Sequence, residues 1–384
     1  MERRKDNKGR VLKEGESQRK DGLYQYRWTD KFGKRHTMYA NDLKALRDKK
    51  KQALESDVEQ ADVIITMYEL IKRYETIHKK SLKETSAYTR GQYLRKIKND
   101  SFGEKNISSI STLDAKEWFL SLNENGMSQC AIGNMKNIIS PAFQMAVDEN
   151  MISYNPFSFS LNKLIKPTKK KKILLSEEQY KRLIDFSKTS KVYKKYTDML
   201  IILHETGVRV GELCGITIDD VDLKNNCLNI THQISYVPGI GTFVQEPKSE
   251  SGKRKIPLTD SARESFERLI CQREALNDPG PEMDGYTSFL FLKRGTLSPK
   301  DKDSVKSIIE SMIGAYHRET GDTLPKTTPH TFRHMFCTRL ISAGMNVKSV
   351  QYLMGHANIR MTLDVYAEYN LPVTVDDFLR IANG

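Results

Sequence analysis

A run of lysines near the middle of this chain predicts a linker between two domains. Residues 163–172 read K-L-I-K-P-T-K-K-K-K, with six lysines and no acidic residue. Because like charges repel one another, such a run stays in solvent and is typical of a linker. The length of 384 residues also favours two or three domains. We therefore predict a basic linker at 159–172 and a C-terminal domain at 173–384.

The net charge of +13 indicates a polyanionic partner. The excess is concentrated at the N-terminus, where residues 1–54 hold 17 Lys and Arg against 8 Asp and Glu. The linker adds further lysines in a position that would lie along a nucleic-acid backbone. The sign of the charge alone does not separate DNA from RNA.

The sequence predicts a cytoplasmic protein. Its most apolar run, M-L-I-I-L at 199–203, is too short to cross a membrane, and the N-terminus has no apolar signal core. We therefore expect no secretion and no membrane partner. The cysteines are odd in number and dispersed without metal-binding spacing, which predicts a reducing compartment and no zinc site. They are Cys130, Cys214, Cys227, Cys271 and Cys337.

Residues 1–55 predict a three-stranded sheet and a helix. L-Y-Q-Y-R-W-T-D (23–30) alternates aromatic and polar side chains, as a half-buried strand does. K-R-H-T-M-Y (34–39) is its partner, and an upstream strand through E-S-Q-R-K ends at an Asp-Gly turn. Asn41 is predicted to cap a helix over 42–54, before a linker at 55–62.

The sheet is basic, and a β-ribbon fits the major groove of DNA. The alternative is a solvated basic surface on a small packing module. The candidate DNA contacts in this segment are Arg19, Lys20, Tyr24, Tyr26, Arg27, Lys34 and Arg35.

Residues 63–158 predict an all-α domain of four helices. Their predicted starts are a capping box of Thr66 with Glu69, a second helix at 85–98, a cap at Thr112 and a fourth helix from Ser128 to 149. The second helix is basic along its length. Further candidate DNA contacts are Arg90 and Arg95 on that helix and Lys169, Lys170 and Lys171 in the linker.

The C-terminal domain presents an arginine between two helices. The helix M-L-I-I-L-H-E ends at Gly207, and Arg209 precedes a second helix, V-G-E-L-C-G-I. Glu212 lies three residues later, so its carboxylate can orient the guanidinium. The alternative is an ordinary salt bridge at a helix start.

A strand-rich stretch follows, with C-L-N-I-T-H (227–232), T-F-V-Q-E-P (242–247) and K-R-K-I-P-L (253–258). We predict that the last two strands form a hairpin through S-E-S-G. Lys248 would lie at its mouth and could donate a proton in a groove. Lys253 is the alternative for the same role.

The segment 327–340, T-T-P-H-T-F-R-H-M-F-C-T-R-L, predicts a helix with Thr328 as its cap and Pro329 first. His330 and Arg333 then lie together, beside a helix N-terminus that favours an anion. Solvated side chains are the alternative. The predicted apolar face of this helix contains Phe332, Phe336 and Leu340.

The last predicted helix pair carries a histidine and a tyrosine. N-V-K-S-V-Q-Y-L-M begins at Asn346 and ends at Gly355, directly before His356. Thr362 is predicted to cap the next helix, which carries Tyr366. Taken alone, this tyrosine would more often pack on its helix neighbours Leu363 and Tyr369.

Together these side chains point to phosphodiester transfer without metal or cofactor. A tyrosine hydroxyl can attack a phosphodiester when arginines clamp the non-bridging oxygens and a lysine or histidine protonates the leaving 5′ oxygen. The phosphotyrosine ester conserves the bond energy, so rejoining needs no ATP. The candidate set is Arg209, Lys248, His330, Arg333, His356 and Tyr366.

The order T-G-V-R-V-G-E-L, H-T-F-R, M-G-H and Tyr366 resembles the motifs of the tyrosine recombinases, the phage-lambda-integrase family. The N-terminal sequence R-R-K-D-N-K-G-R is similar to integrases of conjugative transposons. This resemblance implies an arm-site-binding domain at 1–55, a SAM-like helical core-binding domain at 63–158, and a mainly α catalytic domain with a small antiparallel sheet (α+β) at 173–384.

The resemblance also implies a role for each site residue. Arg209 and Arg333 would bind the scissile phosphate, and Lys248 would be the general acid. His330 and His356 would hydrogen-bond the phosphate, Glu212 would support the site, and Tyr366 would form a 3′-phosphotyrosyl link. The implied function is integration and excision of a mobile element, a conjugative transposon or prophage.

The implied partners are double-stranded DNA at core and arm sites and further copies of the chain in a homotetramer. The apolar segment after Pro372 is expected to dock on a neighbouring subunit. Whether an excisionase or a host DNA-bending protein takes part stays open. The alternatives are a type IB topoisomerase-like enzyme and a non-catalytic DNA-binding regulator.

Overall fold

The computed structural model describes residues 4–29, 35–59, 65–78, 82–167, 173–247 and 249–369, with only the backbone of 52–59 and 366–369. The chain forms two compact units, Met1–Thr168 and Lys169–Gly384, which are described separately. Lys34, Lys169, Lys170, Lys171, Lys248 and the apolar segment after Pro372 lie outside the described residues. In the described part, no helix is long and apolar enough to cross a membrane.

The first unit begins with the predicted three-stranded antiparallel sheet, β1 (Glu16–Gln18), β2 (Tyr24–Thr29) and β3 (Arg35–Ala40). The helix α1 (Leu43–Glu59) follows it. Tyr24 and Ala40 pair across β2 and β3 and form a small core with Leu43 and Leu46. The sheet therefore buries one face, and the alternate side chains Arg27 and Arg35 are exposed.

The helix α1 differs from the prediction at both ends. Its cap is Asp42 rather than Asn41, because the Asp42 carboxylate accepts a hydrogen bond from the Lys44 backbone N–H at 3.0 Å. The helix continues to Glu59, through most of the predicted linker. The segment A-L-E-S-D-V-E contains no Gly or Pro, so nothing in it ends the helix.

The predicted four-helix region is confirmed, as α2 (Met67–His78), α3 (Glu84–Lys98), α4 (Thr112–Glu124) and α5 (Gln129–Asp148), followed by the short α6 (Leu161–Leu164). Its core stacks Trp118 against Phe102, with centroids 4.6 Å apart. The cap of α4 is Ser111 rather than Thr112, because Ser111 and Asp114 form a reciprocal capping box one residue earlier.

The second unit is mainly helical. Its elements are α7 (Glu177–Thr189), α8 (Thr197–Thr206), α9 (Val210–Gly215), β4 (Val221–Asp222), β5 (Cys227–Ile230), β6 (Gln233–Val237), β7 (Gly241–Gln245), β8 (Arg254–Pro257), α10 (Asp260–Glu274), α11 (Lys302–Thr320), α12 (Pro329–Ser342), α13 (Val347–Met354) and α14 (Ile359–Tyr369). The main core lies between α8, α10, α11 and the sheet β4-β5-β8.

The predicted hairpin of the last two strands is wrong. β7 pairs with β6, and β8 pairs instead with β5. The β6–β7 turn contains Gly239, whose positive φ of +90° permits a tight reversal. The β5–β8 pairing places Ile256 opposite Leu228, and both side chains are buried in the core. The choice of strand partner therefore follows burial of these apolar side chains.

The close approach of α8 to α12 depends on Gly207. This residue has φ +60°, and a Cβ built on it would lie 2.4 Å from the Phe336 ring. We predict that Gly207→Ala lowers the free energy of unfolding by roughly 2–4 kcal/mol, through left-handed strain and overpacking. Urea unfolding measures this loss. Gly344→Ala is the matched control, because Gly344 has φ +84° with no atom within 4 Å, and an equal loss in both variants would contradict the packing argument.

Candidate active site

Arg209 occupies the turn between α8 and α9, and Glu212 holds it there. The Arg209 backbone N–H donates to Glu212 Oε2 at 2.8 Å, and its Nη1 donates to Glu212 Oε1 at 2.7 Å. The carboxylate thus binds both the backbone and the side chain of the residue that precedes its helix. The predicted orientation of Arg209 by Glu212 agrees with this geometry.

The Glu212 carboxylate has a second partner, Arg254, at the start of β8. Arg254 Nη1 and Nη2 donate to the two carboxylate oxygens at 3.1 and 2.9 Å. Burial opposes ionisation of Glu212, yet Arg254 and Arg209 lower its pKa to about 2. Glu212 is therefore a carboxylate at neutral pH although it is 2% exposed.

Arg254 was not among the predicted site residues. The strand K-R-K-I-P-L alternates, and Arg254 shares the buried face of β8 with Ile256. An arginine at an inward-facing position of a strand can be recognised in the sequence. It predicts a buried partner, because arginine is seldom fully buried without one. That signal did not indicate which carboxylate Arg254 would meet.

Arg333 projects from the first turns of α12 into the protein. It is 5% exposed, and it donates to the Gly207 carbonyl at 2.7 Å and to the Met354 carbonyl. Burial and the neighbouring Arg209 lower the pKa of Arg333 to about 9, so the guanidinium still carries its charge at neutral pH. The predicted cap of this helix at Thr328 is present, as a reciprocal pair with Thr331.

Three successive carbonyls at the end of α13 receive arginine donors. Leu353 O accepts from Arg254 Nε at 2.7 Å, Met354 O from Arg333, and Gly355 O from Arg209 Nη2 at 2.7 Å. The carbonyl end of a helix carries partial negative charge, so it stabilises cations. One helix end therefore gathers guanidinium groups from three different elements.

His356 follows directly and is 5% exposed. Its Nδ1 lies 2.9 Å from Thr362 Oγ1, which fixes the orientation of the ring. Thr362 is therefore not the predicted helix cap, because α14 begins earlier and Asn358 accepts the Arg360 backbone N–H at 2.9 Å. Burial, together with the charges of Arg333 and Arg209, lowers the pKa of His356 to about 3. The imidazole is neutral at pH 7.

A cavity of about 860 Å³ brings most of the predicted residues together. Arg209, Arg333, His356 and the more exposed His330 line it, with apolar walls from side chains such as Met354 and Val365. Tyr366 follows Val365 on α14, and only its backbone is described. This cavity offers an anion several cationic and neutral donors in a partly apolar site.

The predicted DNA contacts of the first unit divide by exposure. Arg27 and Arg35 are exposed on the open face of the sheet, as are Arg19 and Lys20 on the adjoining turn, and Arg95 on α3. The other three are buried or half-buried and have partners within the fold, as the exposed Arg19 also has in Asp21 at 3.2 Å. Tyr24 is buried and donates to Asp6, Tyr26 lies under Lys50, and Arg90 pairs with Glu75 at 2.8 Å.

Two families match the chain. Residues 174–371 match the phage integrase family, and residues 1–59 match the DNA-binding domain of Tn916 integrase. The chain is 37% identical to the transposase from transposon Tn1545 of Streptococcus agalactiae, over 99% of this chain and 97% of that protein. It is also 37% identical to the transposase from transposon Tn916 of Enterococcus faecalis, with the same coverage.

The fold is similar to solved structures. The Tn1549 transposon integrase in complex with a circular intermediate DNA matches with a TM-score of 0.75 and 34% identity, over 83% of this chain and 99% of that one. A lambda integrase dimer bound to a core site matches with a TM-score of 0.58 at 16% identity, over 95% of this chain and 99% of that one, which shows likeness of fold.

The lowered pKa of His356 predicts a pH-dependent contribution to stability. The unfolded chain binds a proton near pH 6.5, and the folded chain does not until about pH 3. Stability therefore falls as pH drops through this window, by up to roughly 1.4 kcal/mol per pH unit. Chemical unfolding of the wild type and of His356→Gln at pH 7 and pH 5 should show a smaller acid loss in the variant. Equal losses of stability in the wild type and in His356→Gln would show that folding does not lower the pKa of His356.

Proposed function

The chain belongs to the phage integrase family of tyrosine recombinases, and from this membership we propose that it integrates and excises a conjugative transposon by site-specific recombination. The observation that carries the proposal is the cavity that Arg209, Arg333, His330 and His356 line together, beside the helix of Tyr366. The similarity to the transposases from transposons Tn1545 and Tn916 covers nearly the whole chain, which favours a transposon over a prophage.

The first chemical step is attack of the Tyr366 hydroxyl on the scissile phosphate. The bond to the 5′ oxygen breaks, and a 3′-phosphotyrosyl ester forms. Arg209 and Arg333 stabilise the additional negative charge of the pentacoordinate state, because guanidinium groups can bind two phosphate oxygens at once. Attack by a free 5′ hydroxyl on the ester rejoins the strand and restores the tyrosine.

The two histidines have different parts in this proposal. His356 is neutral at the pH of the reaction and held by Thr362, so it acts as a hydrogen-bonding group toward the phosphate rather than as a charge. His330, in the first turn of α12, is more exposed and contributes a second contact from the cavity wall. Neither role requires a metal or cofactor.

We assign the general acid to Lys248 rather than Lys253. Lys253 Nζ lies 3.1 Å from Glu246, and this ion pair raises its pKa. A lysine stabilised in its protonated form is a poorer proton donor to the leaving 5′ oxygen. Lys248 lies between β7 and β8, outside the described residues, so its part rests on the family motif.

The two parts of the first unit, the sheet region and the helical region, supply DNA binding in this proposal. Residues 1–55 bind arm sites through the open face of β1–β3, and residues 63–158 bind core sites. The lysines at 169–171 contact the DNA backbone. The match to the DNA-binding domain of Tn916 integrase supports the first assignment. We further propose a homotetramer on DNA, acting in the cytoplasm where its substrate lies, with an excisionase and a host DNA-bending protein as candidate accessory partners.

Covalent trapping tests the reaction. In core-site DNA with a nick just downstream of the cleavage position, the short fragment that bears the freed 5′ hydroxyl dissociates, so cleavage becomes irreversible. We expect a denaturation-resistant adduct with wild type and none with Tyr366→Phe. Arg209→Ala and Arg333→Ala should form it at least ~100-fold more slowly. Arg263→Ala is the matched control, since this exposed arginine pairs with Glu267 on α10.

An adduct that persists in Tyr366→Phe would assign the nucleophile elsewhere. Tight binding of all variants without any adduct would favour the non-catalytic regulator.

Arm-site binding tests the role of the first sheet. Arg27→Ala should weaken arm-DNA binding. It should also reduce the steepness of the slope of log K against log salt concentration by about one, because one phosphate contact is lost. Lys44→Ala is the matched control, because Lys44 is exposed on α1, which packs on the opposite face of the sheet. Fluorescence anisotropy titrations between low and moderate salt give both slopes. The same change in slope for both variants would mean that the sheet face is not the contact surface.

A further inference from the structure

Arg254 belongs to the buried network of the site without facing its cavity. Among the described residues, the cavity is lined by Arg209 and Arg333 but not by Arg254. The Arg254 side chain is 0% exposed, so it has no surface to offer DNA. Any effect of Arg254 on the reaction must therefore pass through the groups that it holds.

The first of those groups is Glu212. Each of its oxygens accepts from both arginines: Oε1 from Nη1 of Arg209 and Nη1 of Arg254, and Oε2 from the Arg209 backbone and Nη2 of Arg254. Because the carboxylate is shared, it does not neutralise Arg209 completely. Without Arg254, Glu212 would pair with Arg209 alone and compete with a phosphate for its guanidinium.

The second group is the turn that carries His356. Arg254 Nε donates to Leu353 O at 2.7 Å, and Nη1 donates to Gly252 O at 3.0 Å. A Cβ built on Gly355 would lie 2.9 Å from Arg254 Nη1, so the guanidinium packs directly against this glycine. Arg254 thus stabilises the turn at Gly355, and the next residue, His356, lines the cavity.

We propose that Arg254 is a positioning residue for phosphodiester transfer, which places Arg209 through Glu212 and His356 through the end of α13. This proposal rests on the recombinase function above. The planar guanidinium binds a carboxylate and a carbonyl in fixed directions, which a lysine ammonium does not reproduce. A displacement of the phosphate-binding groups by about 1 Å is enough to slow a reaction of this kind by ~100-fold.

The test compares two arginines that are equally buried. Arg273 is 4% exposed, as Arg254 is, and it also donates to two carbonyls, Phe289 O at 3.1 Å and Asp278 O at 2.6 Å. Arg273 does not line the cavity of the site. Arg254→Met and Arg273→Met therefore both remove a buried, carbonyl-binding cation, and the first alone disturbs the phosphate-binding groups.

The measurement is single-turnover cleavage of nicked core DNA at saturating enzyme, with DNA affinity and melting temperature measured in parallel. We expect Arg254→Met to cleave at least ~100-fold more slowly, with DNA affinity within ~3-fold of wild type. Arg273→Met should cleave within ~3-fold of wild type at a similar loss of melting temperature. Arg254→Lys keeps the buried charge and should be intermediate, which tests the proposal if Arg254→Met does not fold.

A neutral methylphosphonate at the scissile position separates positioning from general damage. This substrate lacks the negative charge that Arg209 binds, so the defect of Arg254→Met should shrink at least ~10-fold relative to wild type on the same substrate. A merely structural defect would be equal on both substrates and would overturn the proposal. The proposal would also be overturned if Arg254→Met and Arg254→Lys cleaved DNA at the wild-type rate while Arg209→Ala did not cleave it. Absence of an adduct with wild type would instead contradict the recombinase function itself.

Discussion

The ionised carboxylate of Glu212 is the interaction on which the rest of the site depends. Buried guanidinium groups are costly without partners, and the described structure brings Arg209, Arg254 and Arg333 together around this carboxylate and the end of α13. Backbone carbonyls accept one or more further hydrogen bonds from each of the three arginines without neutralising their charge. The site is therefore stable while it retains an excess of positive charge, which is the condition for receiving a phosphate.

The helix end that accepts these donors also explains why glycines flank the site. Gly355 ends α13 at φ +60°, where Arg254 leaves no room for a Cβ. Gly207 ends α8 at the same φ, against the ring of Phe336, and its carbonyl accepts from Arg333. Each glycine therefore permits both a chain reversal and a close contact that positions a cation. Stability of the domain and geometry of the site are coupled at these two residues.

Local signals in the sequence were reliable where a short segment contains all the partners. The capping box of Thr66 with Glu69, the glycine end of α8 and the strands β2 and β3 are all present. Predictions failed where a choice depended on distant contacts. The strand ending at Gln245 pairs with β6 because β8 is taken by β5, whose buried leucine lies opposite Ile256. Thr362, a plausible cap by residue type, instead contacts His356.

The sequence by itself determined the family and the fold class, because the motifs that carry the resemblance are short patterns of residue type that depend on no tertiary contact. Only the tertiary structure decided that Arg254 and Arg209 share Glu212, because Arg254 and Glu212 are 42 positions apart in the sequence. Tertiary packing also decided the protonation of His356, whose pKa depends on burial and on the charges of Arg333 and Arg209. A charge network is set by distances in space, and local sequence patterns do not encode those distances.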